Sequence, residues 1–424
     1  MMAAGNWWRN SRYLPLLAIA QLLLVAKGFA YARILGLADF GLLSQYLLIG
    51  NAAAMLCGIG MQWVAQKRWP QQSATRNDAR IDVSMTLALA LGAITSFAGF
   101  LSVAFMYAWG AISATAYFVL PAFSLAQYFF IIGIAGVQSE LEFVRVAQLW
   151  LWRAVLTGIL GLGIALVSGN VASVLICEAI ATIVIGVTVF GQDRLRRVLE
   201  LARNRSVVIA AARVELPEAI RLLVLSLVSY FLFNFDRWVG LATLSVAAYG
   251  TYAAGALVLV AFDALRAMLN VAIQPLMARR LATESLSSVI RFAHVCTALT
   301  IGLGLIATLP ANAALHWVIV RALPGFEGSL AVISILVPVG FLRLADFYGT
   351  LAILRNRELV LTGAAVVVAV VALAVVILAS KRGFEFTPRR LGELAMGLTL
   401  ASLALRAGIA CASLDASCGS RFRA

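Results

Sequence analysis

The sequence predicts an all-α polytopic membrane protein, with about twelve transmembrane helices in two six-helix lobes related by a pseudo-twofold axis along the membrane normal. Three observations lead there. Hydrophobic residues make up 62% of the 424 residues and charged residues only 12%, against about 25% charged in soluble domains. The apolar residues gather into about twelve runs, each near the roughly 20 residues a helix needs to cross a bilayer. A short polar break between two such runs, ARILGLADFG at 32–41, has a counterpart, DRWVGLATLSVAAYG at 236–250, about two hundred residues later.

The first lobe takes the runs 13–35, 40–65, 82–109, 112–137, 145–168 and 171–191; the second takes 217–236, 246–273, 292–309, 327–353, 359–379 and 391–412. None alternates polar and apolar residues and all are too long for barrel strands, so each is a helix. The first run follows Arg9 and Arg12 and resembles a leader cleaved after Ala30-Tyr31-Ala32, but it continues to Leu35 and meets the next run at once, which makes it a span. The second run opens on Phe40-Gly41. The breaks 109–112 and 168–171 are minimal turns. Between the halves lies QDRLRRVLELARNRSVVIAAAR, residues 192–213, basic and suited to an interfacial amphipathic helix. The eighth run carries Tyr249-Gly250 near its start. The tenth holds Pro338, which frees the Ser334 carbonyl and predicts a kink. The expected domains are a lobe over 1–191, a linker over 192–213 and a lobe over 214–424.

The repeat aligns Phe40-Gly41 with Tyr249-Gly250 and Gly36 with Gly240, the second copy a few residues longer. Each copy reads as a helix ending at glycine, a short extracytoplasmic turn and a return helix. An even number of spans per half gives both halves the same orientation.

The net charge of +14 is distributed by side. With the N-terminus inside, one set of loops and tails carries Arg9, Arg12, Lys67, Arg68, Arg76, Arg80, Arg145, Arg194, Arg196, Arg197, Arg203 and Arg205, among others. The opposite set carries Arg237, Arg321 and the cluster 381–390, the one exception to the bias. The positive-inside rule therefore places both termini in the cytoplasm. A basic face lying on anionic membrane lipid accounts for the charge, and no nucleic-acid partner is expected.

Enzymatic chemistry finds little support. None of the three lysines follows a glycine, which excludes a Walker A loop, and HExxH, GxSxG and DxD are absent. His294 and His316 are too few and too far apart for a metal motif, and the five cysteines form no CxxC, so neither a metal nor a cofactor is expected. The carboxylate pairs Asp78/Asp82, Glu140/Glu142 and Glu215/Glu218 fall near cytoplasmic loops and read as solvated. A membrane glycosyltransferase or polysaccharide polymerase would need a larger extracytoplasmic loop than these turns provide.

Charges inside the spans carry more information. A central Arg, Lys or Asp costs about 2.5–3.5 kcal/mol on insertion scales, so each is expected to face a partner or a wet cavity. Lys27, Arg153 and Glu178 fall in spans one, five and six. Asp263, Arg266, Asn270 and Gln274 share one face of span eight, and Arg343 and Asp346 lie in span ten. Asp263–Arg266 and Arg343–Asp346 read either as local ion pairs or as cavity groups. Lys27 and Arg153 have no acid within a helical turn. Arg33 lies at the outer end of its span, where it either snorkels to headgroups or joins the cavity. Asn51, Gln148, Trp150, Trp152, Tyr230 and Asn234 are candidate sugar contacts.

The order YARILGLADFGLLSQY, then a basic loop, then FNFDRWVGLATLSVAAYGTYAAGALV, and later RALPGFEG before another span, resembles the polysaccharide transporters. These Wzx-type flippases belong to the multidrug/oligosaccharidyl-lipid/polysaccharide exporter (MOP) superfamily. The resemblance implies two lobes around a central cavity, alternating access, and a bacterial cytoplasmic-membrane location. It implies a polyprenyl-diphosphate-linked glycan as cargo and other polysaccharide assembly proteins as partners. Lys27, Arg33, Arg153, Arg266, Asn270 and Arg343 would then bind the cargo, with Glu178, Asp263 and Asp346 pairing with them or coupling an ion. A cation-coupled multidrug exporter on the same fold is the alternative, and would favour carboxylates in the cavity.

Overall fold

A computed structural model describes residues 13–74, 78–109, 115–140, 142–355 and 357–420. Arg9, Arg12 and Arg76 lie outside them, as do the side chains of Asn270, Gln274 and residues 411–420. The described residues are helical almost throughout and contain no strand. In chain order the helices are α1 Tyr13–Leu56, α2 Met61–Ala74, α3 Asp78–Ala108, α4 Val119–Ser139, α5 Phe143–Ser168, α6 Val171–Phe190, α7 Gln192–Ala202 and α8 Arg205–Phe233. They continue with α9 Phe235–Thr243, α10 Val246–Thr283, α11 Leu286–Ala322, α12 Leu330–Leu344, α13 Phe347–Leu354, α14 Glu358–Lys381 and α15 Pro388–Ser420.

Eleven segments among the described residues are long and apolar enough to cross a membrane. The first of them runs from Tyr13 to Pro70, because α1 breaks at Gly36 without a loop between its two arms. Counting the two arms separately restores the expected twelve. Large apolar side chains such as Leu305, Leu309, Val367 and Val371 stand exposed along α11 and α14. On a soluble protein such faces would drive association; on a spanning helix they meet lipid.

The residues group into two compact units: those up to Leu35 with Leu42–Leu227, and Gly36–Gly41 with Val228 onward. In the first, Trp69, Met85, Tyr128 and Ala135 centre a core from α2, α3 and α4, joined by Val198 of α7. Helix α7 is strapped down by ion pairs: Arg194 and Arg197 reach Asp82 at 3.1 and 2.9 Å, and Arg194 also reaches Glu140 at 2.8 Å. The expectation of solvated carboxylates therefore fails at Asp82, and also at Glu215, which is buried and accepts from Ser84 at 2.7 Å. Nearness to a loop in the chain does not show that α7 folds back over Asp82 or that α8 turns Glu215 toward α3.

In the second unit Val239, Tyr252, Leu259, Val332, Leu336 and Leu391 form one core, and Met277, Val289, Phe347, Tyr348 and Ala410 another. With lipid outside, close packing rather than water exclusion holds such helices, and small residues make it possible. A Cβ on Gly340 would lie 2.1 Å from the Phe262 ring, and one on Gly255 2.8 Å from Val332. The tightest approach to backbone among the described glycines joins the two that the repeat aligns. A Cβ on Gly41 would stand 2.2 Å from the Val246 carbonyl, and one on Gly250 2.0 Å from that of Leu37. Each glycine thus meets the carbonyl four residues before the other, a locally twofold crossing.

One expectation about helix ends is corrected. Gly36 has φ 76° and breaks its helix as expected, but Gly240 is helical inside α9, and the second break comes at Leu244-Ser245, where Ser245 caps α10 by accepting from Ala248 N. Gly240 instead admits Leu391, whose Cδ1 would stand 2.8 Å from its Cβ. Helix α12 continues through Pro338 and ends beyond it at Leu344, where Asp346 caps α13 by accepting from Gly349 N at 3.2 Å.

Candidate functional site

Each unit holds a cluster of charged side chains inside its spanning helices. In the first unit, Lys27 of α1 bonds Glu178 of α6 at 2.7 Å and donates to the Thr157 hydroxyl of α5 at 3.3 Å. Tyr31, one turn after Lys27, donates to the same Glu178 oxygen at 2.8 Å. It reaches that oxygen because α5 has glycine at 161: a Cβ there would stand 1.9 Å from the tyrosine hydroxyl. Arg153, also on α5, donates to the Gln127 side chain of α4 and lies over the rings of Phe130 and Trp150, 4.7 and 5.1 Å from their centroids. Its buried Nε has no protein partner.

Lys27 therefore has an acid after all. Four residues of one helix were the wrong distance over which to look, because Glu178 comes from another helix. The Lys27 and Glu178 side chains are 11% and 7% exposed, so ordinary water does not screen them. Two cations against one carboxylate leave this cluster one positive charge in excess.

The second unit is more strongly biased. Three guanidinium groups surround the Phe233 ring, with Arg266, Arg343 and Arg406 at 5.0, 5.5 and 5.4 Å from its centroid. A cation over a ring face is favoured by the ring quadrupole, and the ring also holds like charges apart at fixed spacing. Asp346 bonds Arg406 and lies 3.7 Å from Arg266. Arg343 donates to the Phe233 carbonyl at 2.8 Å, a group left without an intrahelical partner where α8 ends. Its buried Nε has no protein partner, and the residue lines a small cleft with Asp236, Thr399 and Ser402. Tyr252 donates to the buried Asp236, and Arg237 to the Ala256 carbonyl at 3.2 Å.

Of the two readings left open for these residues, neither local pair forms. Arg343 takes a carbonyl instead of Asp346, and Asp346 takes Arg406 and Arg266. Asp263 is exposed and outside ion-pair distance of Arg266. The pairing follows helix packing, not the i, i+3 spacing. Arg33 is exposed and belongs to neither cluster. Of the candidate sugar contacts, Trp150 lies under Arg153, Asn234 bonds its own helix at the Tyr230 carbonyl, and Trp152 faces outward.

Sequence reasoning missed Arg406, Phe233, Tyr31, Gln127 and Gly161. Arg406 had the same signal as the others, a cation within an apolar run. Tyr31 had a weaker one, its position one turn from Lys27. Phe233, Gln127 and Gly161 carry no signal in one dimension.

No family model and no curated protein matches the chain by sequence. Solved structures do match. A MOP superfamily transporter from Pyrococcus furiosus, whose reverse-polarity binding pocket is taken to suggest a different function, is 14% identical. It has a TM-score of 0.59, over 94% of this chain and 92% of that one. A multidrug resistance MATE family transporter of the MOP superfamily is similar in its outward-facing form, at 13% identity and TM-score 0.56 over 93% and 92% of the two chains. An inward-facing MATE form matches at 14% and 0.55 over 96% of each. The segment order, the eleven candidate spans and these alignments, which cover nearly all of both chains, agree: the chain is a multi-pass membrane protein with the fold of the MOP superfamily transporters.

Proposed function

We propose that this protein is a transporter that carries an anionic, lipid-linked cargo, a polyprenyl-diphosphate-linked glycan, from the inner to the outer leaflet of the bacterial cytoplasmic membrane by alternating access. One observation carries the reading: Arg266, Arg343 and Arg406 around Phe233, with Arg237 beside Asp236, outnumber the two buried carboxylates near them, Asp346 and Asp236. Uncompensated positive charge is costly in such surroundings and is retained where an anion visits. A diphosphate supplies that anion, guanidinium groups match its oxygens, and the hydrocarbon tail can stay in the bilayer. The smaller excess at Lys27 and Arg153 has the same sign.

Export of cationic drugs is the second reading, because solved neighbours include MATE multidrug transporters. Cationic cargo calls for surplus carboxylates, the reverse of what either cluster holds. Glycan display by cells whose only copy carries Arg266→Gln, Arg343→Gln and Arg406→Gln tests the choice. It should fall at least tenfold at normal membrane abundance, and undiminished display would refute the glycan reading.

A further inference from the structure

The polypeptide between α1 and α2 is broken in an unusual way. Gly58, Ile59 and Gly60 all adopt left-handed backbone, with φ of 68°, 51° and 83°. Ile59 is the only non-glycine residue with positive φ among the described residues. A β-branched residue is a poor occupant of that region, where glycine would sit without strain. The break is nevertheless well provided for. Gly58 N–H donates to the Thr95 hydroxyl at 3.2 Å, Met61 N–H to the Gly58 carbonyl, and the Gln62 amide to the Met55 carbonyl at 3.4 Å. A Cβ on Gly58 would lie 1.9 Å from the Tyr128 hydroxyl, and one on Gly60 2.2 Å from the Ala219 carbonyl. The helix entering the break also has a particular place: its residues 37–41 group with the second unit and its residues 42–56 with the first.

We propose that Cys57–Gly60 is a hinge in the transport cycle: bent here, it straightens into a continuous helix in the alternate state, with Ile59 strain setting the balance between the two. Strained residues persist where neighbours over-determine them, and a residue that favours neither arrangement strongly is what a two-state element needs. An unstrained glycine at 59 would leave the bent form too stable to open. The hinge rests on the protein being a transporter but on no particular cargo, so its test is independent of the glycan reading.

Spin labels at Asp39→Cys and Gln66→Cys, both exposed positions flanking the break, report it by pulsed electron-spin distance measurement in a background without native cysteines. A continuous helix would separate the two backbones by about 40 Å, and a bend brings them closer. The wild type should show both distances. Ile59→Gly should raise the ratio of bent to straight by roughly 5- to 30-fold, the factor carried by relief of one left-handed residue. Gly58→Ala, which collides with Tyr128 only in the bent form, should lower it. A single distance in the wild type, or a ratio that Ile59→Gly leaves unchanged, overturns the hinge whatever Gly58→Ala does to folding.

Discussion

Removing the Glu178 carboxylate should destabilise the first unit far more than removing the whole ion pair. In Glu178→Gln an amide oxygen can still accept from Tyr31 and Lys27, which share Glu178 Oε1, but the negative charge 2.7 Å from the Lys27 ammonium is gone, and that side chain is only 11% exposed. Its remaining acceptors, that oxygen and the Thr157 hydroxyl at 3.3 Å, are neutral. An uncompensated buried charge of this kind costs about 3–5 kcal/mol. Lys27→Met removes the cation and leaves Glu178 its bond from the Tyr31 hydroxyl at 2.8 Å, so the loss should be smaller. The double variant leaves no charge at the pair and should fall within about 1 kcal/mol of wild type. The coupling energy across the double-mutant cycle is then about 2 kcal/mol or more, well beyond the ~0.5 kcal/mol expected of independent sites. Thermal unfolding of the four purified proteins in one detergent, followed by tryptophan fluorescence, measures it. Additive effects, or a Glu178→Gln variant as stable as wild type, would show that the pair is not buried as described.

Three further outcomes follow from the packing. Gly161→Ala should push Tyr31 off Glu178 and cost about 1–3 kcal/mol, measured by the same melts; Tyr31→Phe in addition should recover part of that loss. Asp82→Asn should free Arg194 and Arg197 of α7, so that trypsin cleaves the stretch 192–205 several times faster in the folded protein; an unchanged rate would mean that the Arg194–Glu140 pair and Val198 packing hold the helix without Asp82. Tags at positions 75, 200 and 420 should be shielded from an impermeant reagent added to intact cells and tags at 38, 170 and 315 labelled, as the basic-loop asymmetry requires.

The apolar spans and their approximate number were legible because both depend on local composition. An apolar run of about 20 residues has few alternatives to a spanning helix, and a cation within one stands out against its neighbours. Partnership was not legible. Arg343 and Asp346 are three residues apart, yet a helix end intervenes and sends them to Phe233 and Arg406. Lys27 looked solitary because its acid lies on α6. The repeat was readable at Gly41 and Gly250, where close approach forbids a side chain, and misleading at Gly240, where glycine serves packing and not a turn. Asp82 and Glu215 looked solvated because a sequence shows which charges are near a loop but not which helix later covers them.

The sign of the cargo's charge is the central claim, and reconstituted translocation measures it most directly. Proteoliposomes loaded asymmetrically with a short-chain isoprenyl diphosphate sugar, fluorescently labelled, should move it between leaflets faster than protein-free vesicles. The Arg266→Gln, Arg343→Gln, Arg406→Gln protein should lose most of that rate, while a cationic dye of similar size should cross no faster with protein than without. Protein-dependent movement of the dye, with the diphosphate sugar left in place, would contradict the account.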